Sequence, residues 1–131
     1  MTHKTIHPEG WLPAKGYANG VLTQDGVLHI GGQIGWNANK EIVSDRFVDQ
    51  MEQALRNIAD IVAAAGGKVT DITRLTWFVT DKREYLAHQK EVGAAYRAVI
   101  GRHFPAMSVV VVAGLIEDAA KVEIEATAHL G

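Results

Sequence analysis

An α+β fold, built as a mixed sheet with two helices on one face, is predicted by three features of this 131-residue sequence. Two segments repeat apolar residues at helical spacing, and five shorter ones carry the alternation or β-branched runs of strands. Their order is two strands, helix, strand, helix, two strands, and two amphipathic helices can cover only one face of the sheet they connect. The run Ser108-Val109-Val110-Val111-Val112 is apolar on both faces, which implies burial of both. In so small a chain the expected cover for the second face is another copy of the same chain.

Met1 to Lys15 contain Pro8 and Pro13 and have no period, so an irregular arm is expected. Val21-Leu22-Thr23 and Val27-Leu28-His29-Ile30 flank Gln24-Asp25-Gly26, and Asp-Gly is a strong hairpin signal. Gly31-Gly32 then suggests a bulge or a close backbone approach. Ser44 to Ala65 predicts the clearest helix, with Phe47, Met51, Leu55, Ile58 and Val62 on one stripe. Ser44 suits its N-cap, Asp45 its first turn, and Gly66-Gly67 its end.

Asp71 to Thr80 alternates, with Leu75, Trp77 and Val79 on one face, and predicts a strand. Asp81 to Ile100 predicts a second helix, opened by Asp81 and Glu84 in a capping-box pattern and closed by Gly101. Ala106 to Leu115 and Lys121 to His129 predict the last strands, with Glu117-Asp118 in the turn between them. In the final strand Val122, Ile124, Ala126 and Ala128 share one face, and Glu123, Glu125, Thr127 and His129 share the other. No repeat, low-complexity segment or long linker divides the chain, so residues 1–131 are read as one domain.

Composition narrows the function. Hydrophobic residues make up 47%, enough for a core, and the net charge is −2. A nucleic-acid binder needs a basic patch, and none is visible. No basic amphipathic helix or bilayer-length apolar run suggests a membrane partner. The absence of cysteine excludes a disulfide framework, a thiolate nucleophile and a Cys-based zinc site, and favours a reducing, cytoplasmic compartment. The start has no apolar signal core. The six histidines show no metal-binding spacing, so no metal is expected. Gly31-Gly32-Gln33-Ile34-Gly35 lacks the Lys-Ser/Thr of a phosphate cradle.

Two sets of side chains carry chemistry. Glu123 and Glu125 lie opposite the apolar stripe, where a solvated face is the ordinary reading. If that face becomes an oligomer cleft, a carboxylate there can position or deprotonate water. Trp77 fits the strand core. Trp11 and Trp36 sit beside glycines in irregular segments, where an aromatic ring either lines a ligand pocket or packs the arm onto the body.

In order along the chain, Gly16-Tyr17, Gly32-Gln33-Ile34, Gln53-Ala54-Leu55-Arg56-Asn57-Ile58, Ala64-Ala65-Gly66, Leu75-Thr76-Trp77-Phe78-Val79-Thr80-Asp81, Phe104-Pro105-Ala106 and Val122-Glu123-Ile124-Glu125-Ala126 resemble the RidA/YjgF family, the reactive-intermediate (enamine/imine) deaminases. The resemblance implies a chorismate-mutase-like α+β fold and a homotrimer with small-molecule clefts between subunits. It also implies cofactor-free hydrolysis of imines or enamines of 2-amino acids to keto acids and ammonia. In that family an arginine after Phe-Pro-Ala grips the substrate carboxylate, and a glutamate in the last strand positions water.

Carried over residue by residue, the glutamate falls on Glu123 and the tyrosine on Tyr17. The arginine position is Met107, the usual serine before Gly-Gln is Gly31, and the position two after the arginine, often cysteine, is Val109. An asparagine of the second helix falls near Gln89. With Trp36, these residues form the expected substrate-binding set. Met107 is the main departure, since methionine offers no charge and only a weak acceptor. Losing a desolvated partner of an arginine–carboxylate pair costs about 2–5 kcal/mol. The pocket is thus expected to be more apolar and to suit an aromatic or less anionic ligand. Arg74 or Arg102 is a candidate replacement charge. A non-catalytic small-molecule binder on the same scaffold is the alternative.

Overall fold

The hairpin closes as its Asp-Gly pair predicts. Gly26 adopts φ +94°, a conformation glycine accepts without steric penalty, and Val27 N–H donates to Thr23 Oγ1 at 3.0 Å. In the computed structural model, which describes residues 3–131, this hairpin is β2 (Gly20–Thr23) and β3 (Val27–Ile34). There follow α1 (Phe47–Ala64), a 3₁₀ turn (Val69–Asp71) and β4 (Ile72–Val79). The remaining elements are α2 (Lys82–Ala87), α3 (Gln89–Val99), β5 (Ala106–Val111) and β6 (Val122–His129).

The expected irregular arm begins instead with a strand, β1 (His3–Ile6), paired antiparallel to β2 from His3↔Thr23 to Ile6↔Gly20. Met1 and Thr2 lie outside the described residues. Only Ile6 of this strand is buried, so four residues carry too little alternation to be read as β. Gly20 makes its seat: a Cβ there would stand 3.2 Å from Ile6 Cβ and 2.9 Å from Ile61 Cγ2.

All five stripe residues of α1 are buried. Its start differs from expectation. Arg46 holds the N-cap position and Asp49 the first turn. Ser44 fastens the preceding turn, accepting from Arg46 N–H at 3.0 Å and donating to Asp49 at 2.8 Å. The helix ends at Gly66 with φ +90°, as predicted.

The expected second helix is two helices. Asp81 does cap the first, accepting from the N–H groups of Arg83 and Glu84 at 2.9 and 3.1 Å. At His88 the ring Nδ1–H donates to Glu84 O at 2.7 Å. That carbonyl is the one the His88 N–H would use in a continuous helix. The side chain takes it and the helix breaks.

The sheet order is β1-β2-β3-β6-β4-β5, antiparallel except for β4 beside β5. The helices pack on one face, where Leu28, Leu75, Trp77, Val79, Ile124 and Ala128 join the α1 stripe in a single core. Glu123 pairs with Phe78 and Glu125 with Thr76 on the other face. β5 forms one edge and ends at Val111, short of the expected Leu115, because β4 ends at Val79 and offers no further pairing. Along β5 every residue is exposed in the single chain, Val111 at 55%. A bare apolar edge of this kind invites another chain.

Candidate functional site

Four of the predicted site residues meet in one cavity of about 400 Å³: Tyr17, Gly31, Trp36 and Glu123, joined by Asn19, Gln33 and Ile116. Its floor is the irregularity that Gly31-Gly32 produces in β3, where pairing with β6 shifts between Ile30 and Gln33. Glu123 stands on β6 opposite Ile34 and leans over Gly32, so a Cβ on Gly32 would collide with its carboxyl group. Glycine here makes room for a carboxylate. Partial burial, and secondarily the like charge of Glu125, raises the Glu123 pKa above the ordinary range. Among the described residues Glu123 has no ion pair.

The aromatic walls are held by a cation. Lys40, in the left-handed region at φ 60°, places Nζ 5.6 Å from the Tyr17 ring centre and 5.7 Å from that of Trp36. Its ammonium also donates to Pro13 O at 2.9 Å. Asn57, a buried residue of α1, donates to Ile34 O and Trp36 O at 3.2 and 2.9 Å and fixes the chain where it leaves β3. Sequence reasoning assigned Asn57 no role. Its signal was a polar residue beside the apolar stripe of a core helix.

A relay runs from the arm to this cavity. Gln33 Nε2 donates to Asn19 Oδ1 at 3.2 Å and to Gly31 O at 3.1 Å. Asn19 Nδ2 lies 3.3 Å from His7 Nδ1, and His7 Nε2 lies 3.2 Å from Trp11 O. A carbonyl only accepts, so Nε2 carries the His7 proton and Nδ1 accepts from Asn19. Trp11 packs the arm against the core, whereas Trp36 lines the cavity.

Gln89 and Met107 lie elsewhere, in a cavity of about 220 Å³ lined also by Trp77, Tyr85, Val92, Tyr96, Arg97 and Phe104. Met107 pairs with Leu75 and faces the helices, three positions along β4 from Phe78, the partner of Glu123. Alternation therefore puts Glu123 and Met107 on opposite faces of the sheet. Val109, opposite Trp77 on β5, shares the Met107 face but lines neither cavity. Nor do Arg74 and Arg102. The cation at the smaller cavity is Arg97, which the sequence reading missed although its spacing from Gln89, Gly93 and Tyr96 puts it on their helix face.

Two buried side-chain polar atoms of the described residues have no hydrogen-bond partner, Gln33 Oε1 and Trp77 Nε1. Each belongs to a wall of one of these two cavities, an acceptor in the first and a donor in the second. Such atoms are rare in folded proteins and mark places where a ligand or ordered water can complete the bonding. A larger cavity of about 510 Å³, near Ser44, Asp45 and Lys121, contains none of the predicted residues. Among the described residues no group of three metal-ligating side chains converges, and no helix is long and apolar enough to cross a membrane.

The sequence model of the family described as Endoribonuclease L-PSP matches residues 9–130. A 2-iminobutanoate/2-iminopropanoate deaminase of Salmonella typhimurium is 40% identical over 129 residues, covering 95% of this chain and 96% of the relative. The human protein of the same name is 31% identical over 116 residues, covering 88% and 80%. Among solved structures, the YjgF gene product of E. coli superimposes with a TM-score of 0.80 at 40% identity, covering 96% of this chain and 98% of that one. E. coli TdcF with bound serine gives 0.82 at 33%, covering 98% and 99%.

Proposed function

Because the chain belongs to the Endoribonuclease L-PSP family, that of the RidA/YjgF proteins, we propose that it hydrolyses an imine or enamine intermediate derived from an amino acid. The observation that carries the proposal is the Glu123 carboxylate, seated over Gly32 in a cavity walled by Tyr17 and Trp36, with its pKa raised. A carboxylate so placed takes a proton from water as the water oxygen bonds to the imine carbon. The C=N electrons go to nitrogen, which takes the proton back from Glu123 to give a neutral carbinolamine. Glu123, again a carboxylate, then accepts the carbinolamine hydroxyl proton and passes it to the amine as the C–N bond breaks, and a carbonyl and ammonia leave. No cofactor enters this balance.

The chain is proposed to act as a homotrimer. Glu123 and Met107 face opposite ways, so the two cavities can contribute to one cleft only if they come from different copies. The exposed apolar edge at β5 supports that arrangement. The net charge of −2 and the lack of a basic stripe do not favour RNA as a substrate, whatever the family's description.

The test is ammonia release from freshly generated 2-imino acids by wild type, Glu123→Gln and Met107→Arg. Turnover by wild type, lowered about a hundredfold or more in Glu123→Gln, is the expected result. Turnover only in Met107→Arg would assign the native cleft to another ligand. Silence in all three would favour a second reading, a small-molecule binder without catalysis, for which Met107 in place of arginine is the specific observation.

A further inference from the structure

We propose that the Met107 cavity is a specificity pocket that seats the aromatic ring of a small carboxylate ligand, with Arg97 as the anion partner. The ligand's reacting end rests on the deaminase reading above, which would make it an aromatic 2-imino acid. The pocket itself does not depend on turnover.

Five observations carry the assignment. The walls are aromatic and braced: Tyr96 and Phe104 stack with ring centres 5.8 Å apart, and Trp77 meets Tyr85 edge-on at 6.5 Å. The Tyr96 hydroxyl is already committed to His103 O at 2.6 Å, so it offers the pocket its ring face. The volume, about 220 Å³, exceeds the roughly 150 Å³ of a cavity that accepts benzene. A two-carbon aliphatic group would leave most of it unfilled.

The chemistry of the lining points the same way. Methionine at position 107 adds a polarisable thioether, which packs favourably against aromatic rings. The Trp77 N–H is buried behind the wall and unpartnered, so a ligand acceptor that met it as the ring shifted would relieve an unmet donor. At the rim, Arg97 lies along Gly93, where an added Cβ would stand only 3.3 Å from its Nη1. Arg97 is exposed and forms no ion pair among the described residues. A free guanidinium beside an apolar pocket suits a ligand with a ring at one end and a carboxylate at the other.

Calorimetry on the full chain with two stable 2-oxo acids, phenylpyruvate and 2-oxobutanoate, tests this. Phenylpyruvate is expected to bind at least about tenfold more tightly, from the added ring area. Arg97→Gln should weaken it by about tenfold or more, and Trp77→Phe, which keeps a ring but removes the N–H, by roughly threefold to tenfold. Arg83→Gln, remote from both cavities, should change nothing. Equal affinity for the two acids, or binding indifferent to Arg97→Gln, overturns the proposal. Because Arg97 is exposed, its variant reads out even if Trp77→Phe fails to fold. Ammonia release from 2-iminobutanoate without phenylpyruvate binding would sink the pocket and leave deamination standing. Arg97-dependent phenylpyruvate binding with no imine turned over would do the reverse.

Discussion

Replacing Gly32 with alanine tests whether the position of Glu123, and not merely its presence, matters. The backbone at Gly32 is not in the left-handed region, so alanine can adopt it. The new Cβ would, however, stand 2.6 Å from Glu123 Cδ and 2.8 Å from Cγ. Carbon pairs settle at about 3.5–4.0 Å. The Glu123 side chain must therefore retreat by roughly 0.7–1.4 Å, the difference between those separations. A displacement near 1 Å at a reacting group can cost about a hundredfold in rate, or about 2.7 kcal/mol of transition-state stabilisation. Stability should hardly change, because the moving group is flexible and the loss of glycine entropy offsets strain by about 0.4–1 kcal/mol. Ammonia release measured beside a thermal melt separates the two effects. Gly114→Ala is the control, since its Cβ would meet nothing within 4 Å and the residue does not line the Glu123 cavity. A folded Gly32→Ala protein working at the wild-type rate would refute the role assigned to the Glu123 seat.

Two further outcomes concern stability. Gln50 is fully buried, donates to Ser44 O and Ala119 O at 2.9 and 3.0 Å, and accepts from Lys121 N–H at 2.8 Å. Gln50→Leu strands those partners and should cost about 3 kcal/mol in urea denaturation, and a loss below about 1 kcal/mol would contradict the reading. Glu123 has a raised pKa, chiefly from burial, so the folded chain holds its proton after the unfolded chain has released it. Stability should then fall as pH rises from the ordinary glutamate range through the raised value. Glu123→Gln should lessen that decline, leaving the part that the raised pKa of Asp60 contributes, and melt higher than wild type at neutral pH. An unchanged pH profile would show that the carboxylate is better solvated than its surroundings suggest.

Much of the scaffold was legible because it follows from local periodicity. The α1 stripe, the alternation of β6 and the Asp25-Gly26 turn each depend on residues a few positions apart. The misses depended on competition between distant or side-chain groups. β1 exists because β2 offers an edge and Gly20 a seat for Ile6. The break at His88 exists because an imidazole outcompetes a backbone N–H for Glu84 O. Tyr17, Gly31, Trp36 and Glu123 line one cavity, but Arg97 was not foreseen, since a charge on a helix face is ordinarily solvated.

The separation of Glu123 from Met107 bears on how this chain could depart from its family's pattern. The seat of Glu123 is made by Gly32, the β3 irregularity and the Asn57 anchor, all on β3, β6 and α1. The surroundings of Met107 are made by β4, β5 and the helices α2 and α3. No hydrogen bond of the Gln33–Asn19–His7 relay crosses to that side. On the proposed function, a change from arginine to methionine would therefore alter what is recognised without moving the carboxylate proposed to activate water. On this reading the chemistry and the choice of ligand occupy opposite faces of one sheet, so substitutions on the two faces should combine additively in the stability of the ligand-free chain and non-additively in turnover, where one ligand meets both.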